Sequence, residues 1–159
     1  MIKSLLFCTA LACVVASNSA CAQQSPPPSA QAERIEDLVN RAAALVNARG
    51  RAAFAEFRRP NSEWWYGTTY LFAYDEHLNV LLNPAFPNRE GTNPHGEKDA
   101  NGKMFHDEFL KVVKARGAGW VDYMFPKPGQ QQPSHKWSYV KAFKVDGMAG
   151  LIGAGFFEQ

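Results

Sequence analysis

Apolar residues change their spacing along this chain, and each change marks a predicted element. Ile35, Leu38, Val39, Ala42, Leu45, Val46 and Ala53 recur at three- and four-residue intervals, and Phe57 extends the series. That period predicts a long amphipathic helix from Ala32, with Glu33, Glu36 and Asp37 in its first turns, where they suit the helix dipole. Gly50 bends or splits it, and Pro60 ends it by disfavouring helix at Arg59. Apolar strand candidates follow at Thr68–Asp75 and Leu78–Asn83, around the turn Asp75-Glu76-His77. Pro84–Gly102 is irregular and rich in Pro and Gly, and Asp99-Ala-Asn-Gly102 reads as a turn within it. From Met104, Phe105, Phe109, Val112 and Val113 share a helical face, with Gly117 as the stop.

The spacing then drops to two. Val121, Tyr123 and Phe125 alternate with Trp120, Asp122 and Met124. Beyond a loop at Pro126–His135, Trp137, Tyr139, Lys141 and Phe143 alternate with Lys136, Ser138, Val140 and Ala142. The loop is too long for a two-residue hairpin turn and is expected to project as a flexible flap. A Gly-rich strand at Leu151–Phe157 completes the pattern. The order predicts an α+β domain, with an antiparallel sheet of about five strands and the long N-terminal helix packed on one face.

Composition narrows the functional classes. A hydrophobic content of 46% supports a packed core and argues against wholesale disorder. The net charge of +2 comes from scattered Lys and Arg, so the basic stripe of a nucleic-acid-binding surface is missing. The N-terminus has Lys3, a short apolar run over Leu5–Ala16 and the small-residue site Ala20-Cys21-Ala22. These predict a secretory signal peptide over residues 1–22, and hence a periplasmic or secreted protein. Lipidation at Cys21 is the alternative, weakened by Asn18 at a position that favours an aliphatic residue. All three cysteines lie in that segment, so the expected mature chain has neither disulfide nor thiolate chemistry. Residues 23–31 read as a mobile Pro/Ser/Gln linker, and residues 32–159 as one domain.

With the elements in this order, the chain resembles a single Cache domain, the extracytoplasmic small-molecule sensor module of bacterial receptors. The matching pieces begin with Tyr70-Leu-Phe-Ala-Tyr-Asp75, Leu82-Asn-Pro84, Gly91-Thr-Asn93 and Asp99-Ala-Asn-Gly102. They continue with Gly119-Trp-Val-Asp-Tyr123, Pro126-Lys-Pro128, Lys136-Trp-Ser-Tyr-Val-Lys141 and Ile152-Gly-Ala-Gly-Phe156. Leu78 departs from the family's usual turn glycine, Asn83 from a histidine before the proline, and Asp146-Gly147-Met148 from an aromatic-rich segment. The resemblance implies a PAS-like sheet, a small-molecule ligand and a membrane receptor or sensor as partner. It also implies a ligand-facing lysine in the Lys136 motif. In receptors a membrane helix and a signalling domain follow this module, whereas this sequence stops at Gln159.

Lys136 is the first candidate for ligand binding, because a partly desolvated ammonium gains strongly from a carboxylate; a solvated strand lysine is the alternative. Lys141 has the opposite strand parity and serves the other face. Tyr123, Trp120, Tyr139, Tyr70 and Phe72 are candidate pocket walls, or simply core. Arg89, in the irregular segment, can clamp a carboxylate in a bidentate fork or stand exposed. The four histidines lack zinc-site spacing. Convergence of His95, Asp99 and His106 on a metal is weighed against solvated loop histidines, and the latter is favoured. Ser134-His135 lacks an elbow motif, so no catalytic residue, metal or cofactor is expected. The expected function is binding of a small organic carboxylate without a covalent step, the alternative being an accessory protein that kept the fold but not the pocket.

Overall fold

The computed structural model describes residues 24–158 apart from Asp146. The signal-peptide reading therefore lies outside the described residues. Helix α1 spans Ala30–Arg49 and begins two residues before the expected start, because the Ser29 hydroxyl caps it by accepting the Ala32 N–H at 3.1 Å. Pro26 is buried, so part of the expected mobile linker packs on the domain. At Gly50 the helix breaks as anticipated, passing through a 3₁₀ turn over Gly50–Ala53 into the short helix α2, Phe54–Phe57.

The expected strand Thr68–Asp75 is divided. A small hairpin pairs β1, Trp65–Tyr66, with β2, Thr69–Tyr70, and β3, Phe72–Asp75, then joins the main sheet. Strand β4 is Val80–Leu82. Between β3 and β4, Leu78 takes the left-handed backbone at φ 66 where the resembled family places glycine. Asp75 holds that turn by accepting the His77 and Asn79 backbone N–H groups, and burial of the Leu78 side chain offsets the strain. A 3₁₀ turn at Pro87–Arg89 interrupts the irregular segment, and α3 covers Phe105–Arg116 with Gly117 in the left-handed conformation as its cap. Strands β5, Ala118–Pro126, and β6, Pro133–Val145, pair along their whole length, which leaves only residues 127–132 as the connection. The expected flap is accordingly shorter than Pro126–His135. Strand β7 runs from Met148 to Phe157.

The main sheet is antiparallel throughout, in the order β4-β3-β7-β6-β5. This is the expected α+β fold with a PAS-like sheet, and the α1–α2 stretch lies on one face. Close packing at its centre requires Gly155, where an added Cβ would lie 2.2 Å from the Trp137 carbonyl oxygen. The other face is covered by α3 and by the segment between β4 and α3. That segment is tied to both edges of the sheet. Thr92 and Gly91 bond the outer side of Val80, and the Asp99 carboxylate accepts the Met124 N–H of β5 at 2.8 Å. The Asp99 turn is thus an anchor for the covering loop. Asn83 serves the same loop, accepting the Phe86 N–H at 3.2 Å, while its own N–H bonds Glu90 at 2.7 Å. Among the described residues no helix is long and apolar enough to cross a membrane.

Candidate functional site

Strand parity decides which side chains meet. On β6, Lys136, Ser138 and Val140 point to the α3 face, while Trp137 and Phe143 point to α1. Lys136 stands opposite Tyr123 of β5 on one side and Phe157 of β7 on the other. Its ammonium is therefore walled by aromatic rings, with centroids at 4.4 Å for Tyr70, 5.0 Å for Phe157 and 5.5 Å for Phe125. Phe72 and Tyr123 complete the chamber, each at 5.9 Å. Such rings favour a cation through their faces, without supplying a counter-charge.

Lys136 is 1% exposed, and the Tyr70 hydroxyl accepts a hydrogen bond from Nζ at 3.2 Å. Among the described residues no carboxylate pairs with it. Burial alone pushes its pKa down to about 7. The neighbouring tyrosines are raised by the same desolvation, so they stay neutral and can donate or accept through their hydroxyls. Tyr123 already shares a 2.9 Å hydrogen bond with Ser138. The chamber is chemically lopsided: one buried cation, neutral hydroxyls and aromatic walls.

Arg89 lies over the same Phe125 ring, its guanidinium carbon 5.9 Å from the centroid. It donates to Glu97 at 2.7 Å and approaches His106 Nε2 at 3.3 Å. His106 is 1% exposed and packs edge-on against Tyr74 at 5.6 Å. Burial, with the Arg89 charge as a smaller cause, pulls its pKa down to about 3, so the imidazole is neutral. Beside these groups a cleft of about 290 Å³ is lined by Phe86, Arg89, Phe105, Met124 and Phe125 among others. Phe86 packs against both Tyr70 and Phe125, at 6.0 and 5.3 Å, and so stands between the Lys136 chamber and the cleft.

Of the residues singled out from the sequence, Lys136, Tyr123, Tyr70, Phe72 and Arg89 gather on this face. Trp120 and Tyr139 do not join them. They pack against each other at 5.3 Å on the α1 side, and the Trp120 indole N–H bonds Glu36 at 2.7 Å. Their parity on β5 and β6 is opposite to that of Tyr123 and Lys136, which puts them on the wrong face for a shared pocket. Lys141 goes with them, bonding Asn40 of α1 at 2.7 Å. His106 is also not the solvated loop histidine expected, since it lies on α3, one helical turn before Phe109. That i, i+3 relation to an apolar face was the available signal for its burial. Phe86, Phe105 and Phe157 belong to the site region as well, and nothing in their spacing distinguishes them from core. Among the described residues no group of three or more His, Cys, Asp or Glu side chains is arranged to hold a metal.

The architecture, a PAS-like sheet with a polar aromatic chamber under an irregular loop and a short helix, is that of a small sensor domain. Comparison with known proteins agrees. The profile of the Cache domain family matches residues 31–157, and the chain belongs to that family. Over 88 residues, 55% of the chain, it is 30% identical to the methyl-accepting chemotaxis protein McpP of Pseudomonas putida, spanning 16% of that receptor's length. Among solved structures it resembles a Cache chemosensory domain described for carboxylic acid recognition, with 27% identity and a TM-score of 0.69. That match covers 82% of this chain and 95% of that one. A periplasmic sensor domain of a chemotaxis protein is similar at 31% identity and TM-score 0.63, over 80% and 90% of the two chains.

Proposed function

We propose that this domain is an exported sensor-type module that binds a small organic carboxylate and presents it to a membrane receptor or sensor partner. The observation that carries this reading is Lys136, an ammonium buried in an aromatic chamber with no carboxylate beside it. An uncompensated buried charge costs several kcal/mol, and an anionic ligand is the natural group to offset that cost. Tyr70 is already within hydrogen-bonding reach of Nζ and can bond the same ligand oxygen, while Arg89 adds positive charge beside the Phe125 ring. The relative described for carboxylic acid recognition supports the same ligand class. Binding is non-covalent, without metal or cofactor. A ligand site expects Lys136 buried beside a cavity and an accessory protein expects it on an exposed rim; its 1% exposure speaks against the rim.

The test is a thermal-shift and calorimetric screen of the mature domain against small carboxylates, amino acids, amines and purines. Wild type and Lys136→Met are run in parallel. A carboxylate at a hundred times its Kd should stabilise the wild type by about 2.7 kcal/mol and leave Lys136→Met unmoved. A carboxylate response that survives in Lys136→Met would move the site elsewhere. A screen in which only non-carboxylates respond would overturn the ligand class.

A further inference from the structure

The Lys136 ammonium is closed off in this conformation. It is 1% exposed, and the neighbouring cleft is lined by Phe86, Phe105 and Phe125 but not by Lys136. A group buried in this way meets a solute only through a local opening. The cleft and the chamber share their wall. Phe125 faces both, Phe86 packs on Tyr70 and Phe125, and Phe105 stacks on Tyr123 at 4.1 Å. Two of these three rings are held by regular structure. Phe125 is 9% exposed on β5, in register with Ser134 of β6, and Phe105 is 3% exposed at the start of α3. Phe86 is only half-buried and stands in the loop after β4. Its backbone is pinned, for its N–H bonds the Asn83 carbonyl at 3.1 Å and its own carbonyl accepts the Arg89 N–H at 2.9 Å. Pro87 restricts that backbone further. The side chain is the part left free to turn between rotamers, and the cleft of about 290 Å³ has room for a displaced ring.

We propose that Phe86 is the gate of the Lys136 chamber: its ring turns away from Tyr70 and Phe125 into the cleft and opens a path to the ammonium, while the sheet and α3 stay in place. That this path admits a ligand rests on the ligand-binding reading of Lys136; the path itself does not. The opposite wall is less suited to move. Phe157 lies in β7, in register with Lys136, and Lys127 covers its ring at 5.8 Å. A side-chain gate of this kind sets how quickly the site exchanges with solvent, whereas the groups around Nζ set what it holds.

The test needs no ligand. Cyanate, as isocyanic acid, adds to a neutral amine: the lysine nitrogen bonds the cyanate carbon, one amine proton passes to the cyanate nitrogen, and a urea results. The folded protein is treated at pH 8, and the rate at Lys136 is read by peptide mass spectrometry. It is divided by the rate at Lys111, whose side chain is 76% exposed in the same molecule. Wild type, Phe86→Ala, Phe86→Trp and Phe157→Ala are compared, with amide hydrogen exchange of the β6 backbone followed in each. Phe86→Ala should raise the Lys136 to Lys111 ratio about tenfold or more without speeding β6 exchange, as a local rather than global opening requires. Phe86→Trp should lower the ratio, and Phe157→Ala should raise it less than Phe86→Ala does. A ratio unchanged in Phe86→Ala would overturn the gate, as would a larger rise in Phe157→Ala. Labelling of Lys136 that rises only in parallel with β6 exchange would also overturn it, since global unfolding would then be the route. Each of these failures leaves the carboxylate reading standing, and a ligand screen without a carboxylate response removes that reading without touching the gate.

Discussion

The two faces of the sheet are built from the same strands yet differ in kind. On the α1 side, Leu71, Ala73, Ile152, Ala154, Phe143 and Phe156 meet Ile35, Leu38, Val39, Ala42 and Val46 in an apolar layer. Its polar groups are kept to the rim, where Glu36, Asn40 and Asn47 of α1 bond Trp120, Lys141 and the Lys144 backbone. On the other side, aromatic side chains surround a lysine, a histidine and a serine that are all buried. The cause is the cover. A continuous helix of 20 residues lays one regular apolar stripe on the sheet. A 12-residue helix and an irregular loop leave corners that regular packing does not fill. One face is a continuous apolar layer, and the other carries polar groups whose burial costs stability.

Breaking the first face should give the largest effect. Phe57 is fully buried in the α1-side core against Trp64, at 4.9 Å between ring centroids. Phe57→Ala should lose about 3–5 kcal/mol in urea denaturation, without altering ligand preference in the folded fraction. Lys136→Met should do the opposite. Replacing a buried unpaired ammonium with an apolar chain of similar length should raise the stability of the ligand-free domain by about 2–4 kcal/mol near pH 6, while the carboxylate response disappears. A Lys136→Met domain less stable than wild type without ligand would mean that the two faces are not specialised in this way.

Much of this contrast was legible in the sequence, and the missing part has a common cause. The three- and four-residue spacing of Ile35 through Phe57 identified α1 together with its break at Gly50, and alternation identified β5 and β6. Parity even separated Lys136 from Lys141. What parity does not provide is the identity of each face. Alternation says that Trp120 and Tyr123 differ in side, but only the docking of α1 and α3 says which side holds the chamber. Trp120 and Tyr139 were grouped with Lys136 because residue type was weighed without that information. The β1–β2 hairpin was missed because two-residue strands have no period to detect. Arg89 and His106 meet through a loop whose path depends on anchors at Asp99, Asn83 and Glu90, contacts that no local spacing encodes.

A finer probe of the same contrast is pH. The folded-state pKa of Lys136, about 7, lies below the ordinary lysine value of 10.5, so the folded domain holds its proton less tightly than the unfolded chain. Its burial penalty is therefore smallest above the unfolded value, grows as pH falls, and is complete below about pH 7. The stability gained by Lys136→Met should shrink by about 2 kcal/mol between pH 6 and pH 9. A bound carboxylate favours the ammonium, so affinity should be greatest below pH 7 and weaken as pH rises through it. Calorimetry at pH 8 in buffers of different ionisation enthalpy should then show proton uptake on binding.

His135 offers a smaller and opposite titration. It lies between Asp122, at 3.2 Å from Nε2, and Glu158, at 2.8 Å from Nδ1. Desolvation acts against its charged form, but the hydrogen bonds and charges of these carboxylates outweigh that and raise its pKa. Asp122 is held low in turn, its bonds to Lys103 and His135 outweighing its own desolvation. For a raised histidine the stabilising contribution is full below the unfolded value, near 6.5, and is lost as pH climbs through the folded one. His135→Gln should thus destabilise the domain at pH 5.5 and be near neutral at pH 9, by within about 1 kcal/mol because the pair is partly solvated. Wild-type and variant urea midpoints across that range would show the two titrations with opposite sign. Lys136 weakens the ligand-free domain as it charges, and His135 strengthens it. A His135→Gln effect that stays constant with pH would mean that packing, not charge, is what this rim cluster contributes.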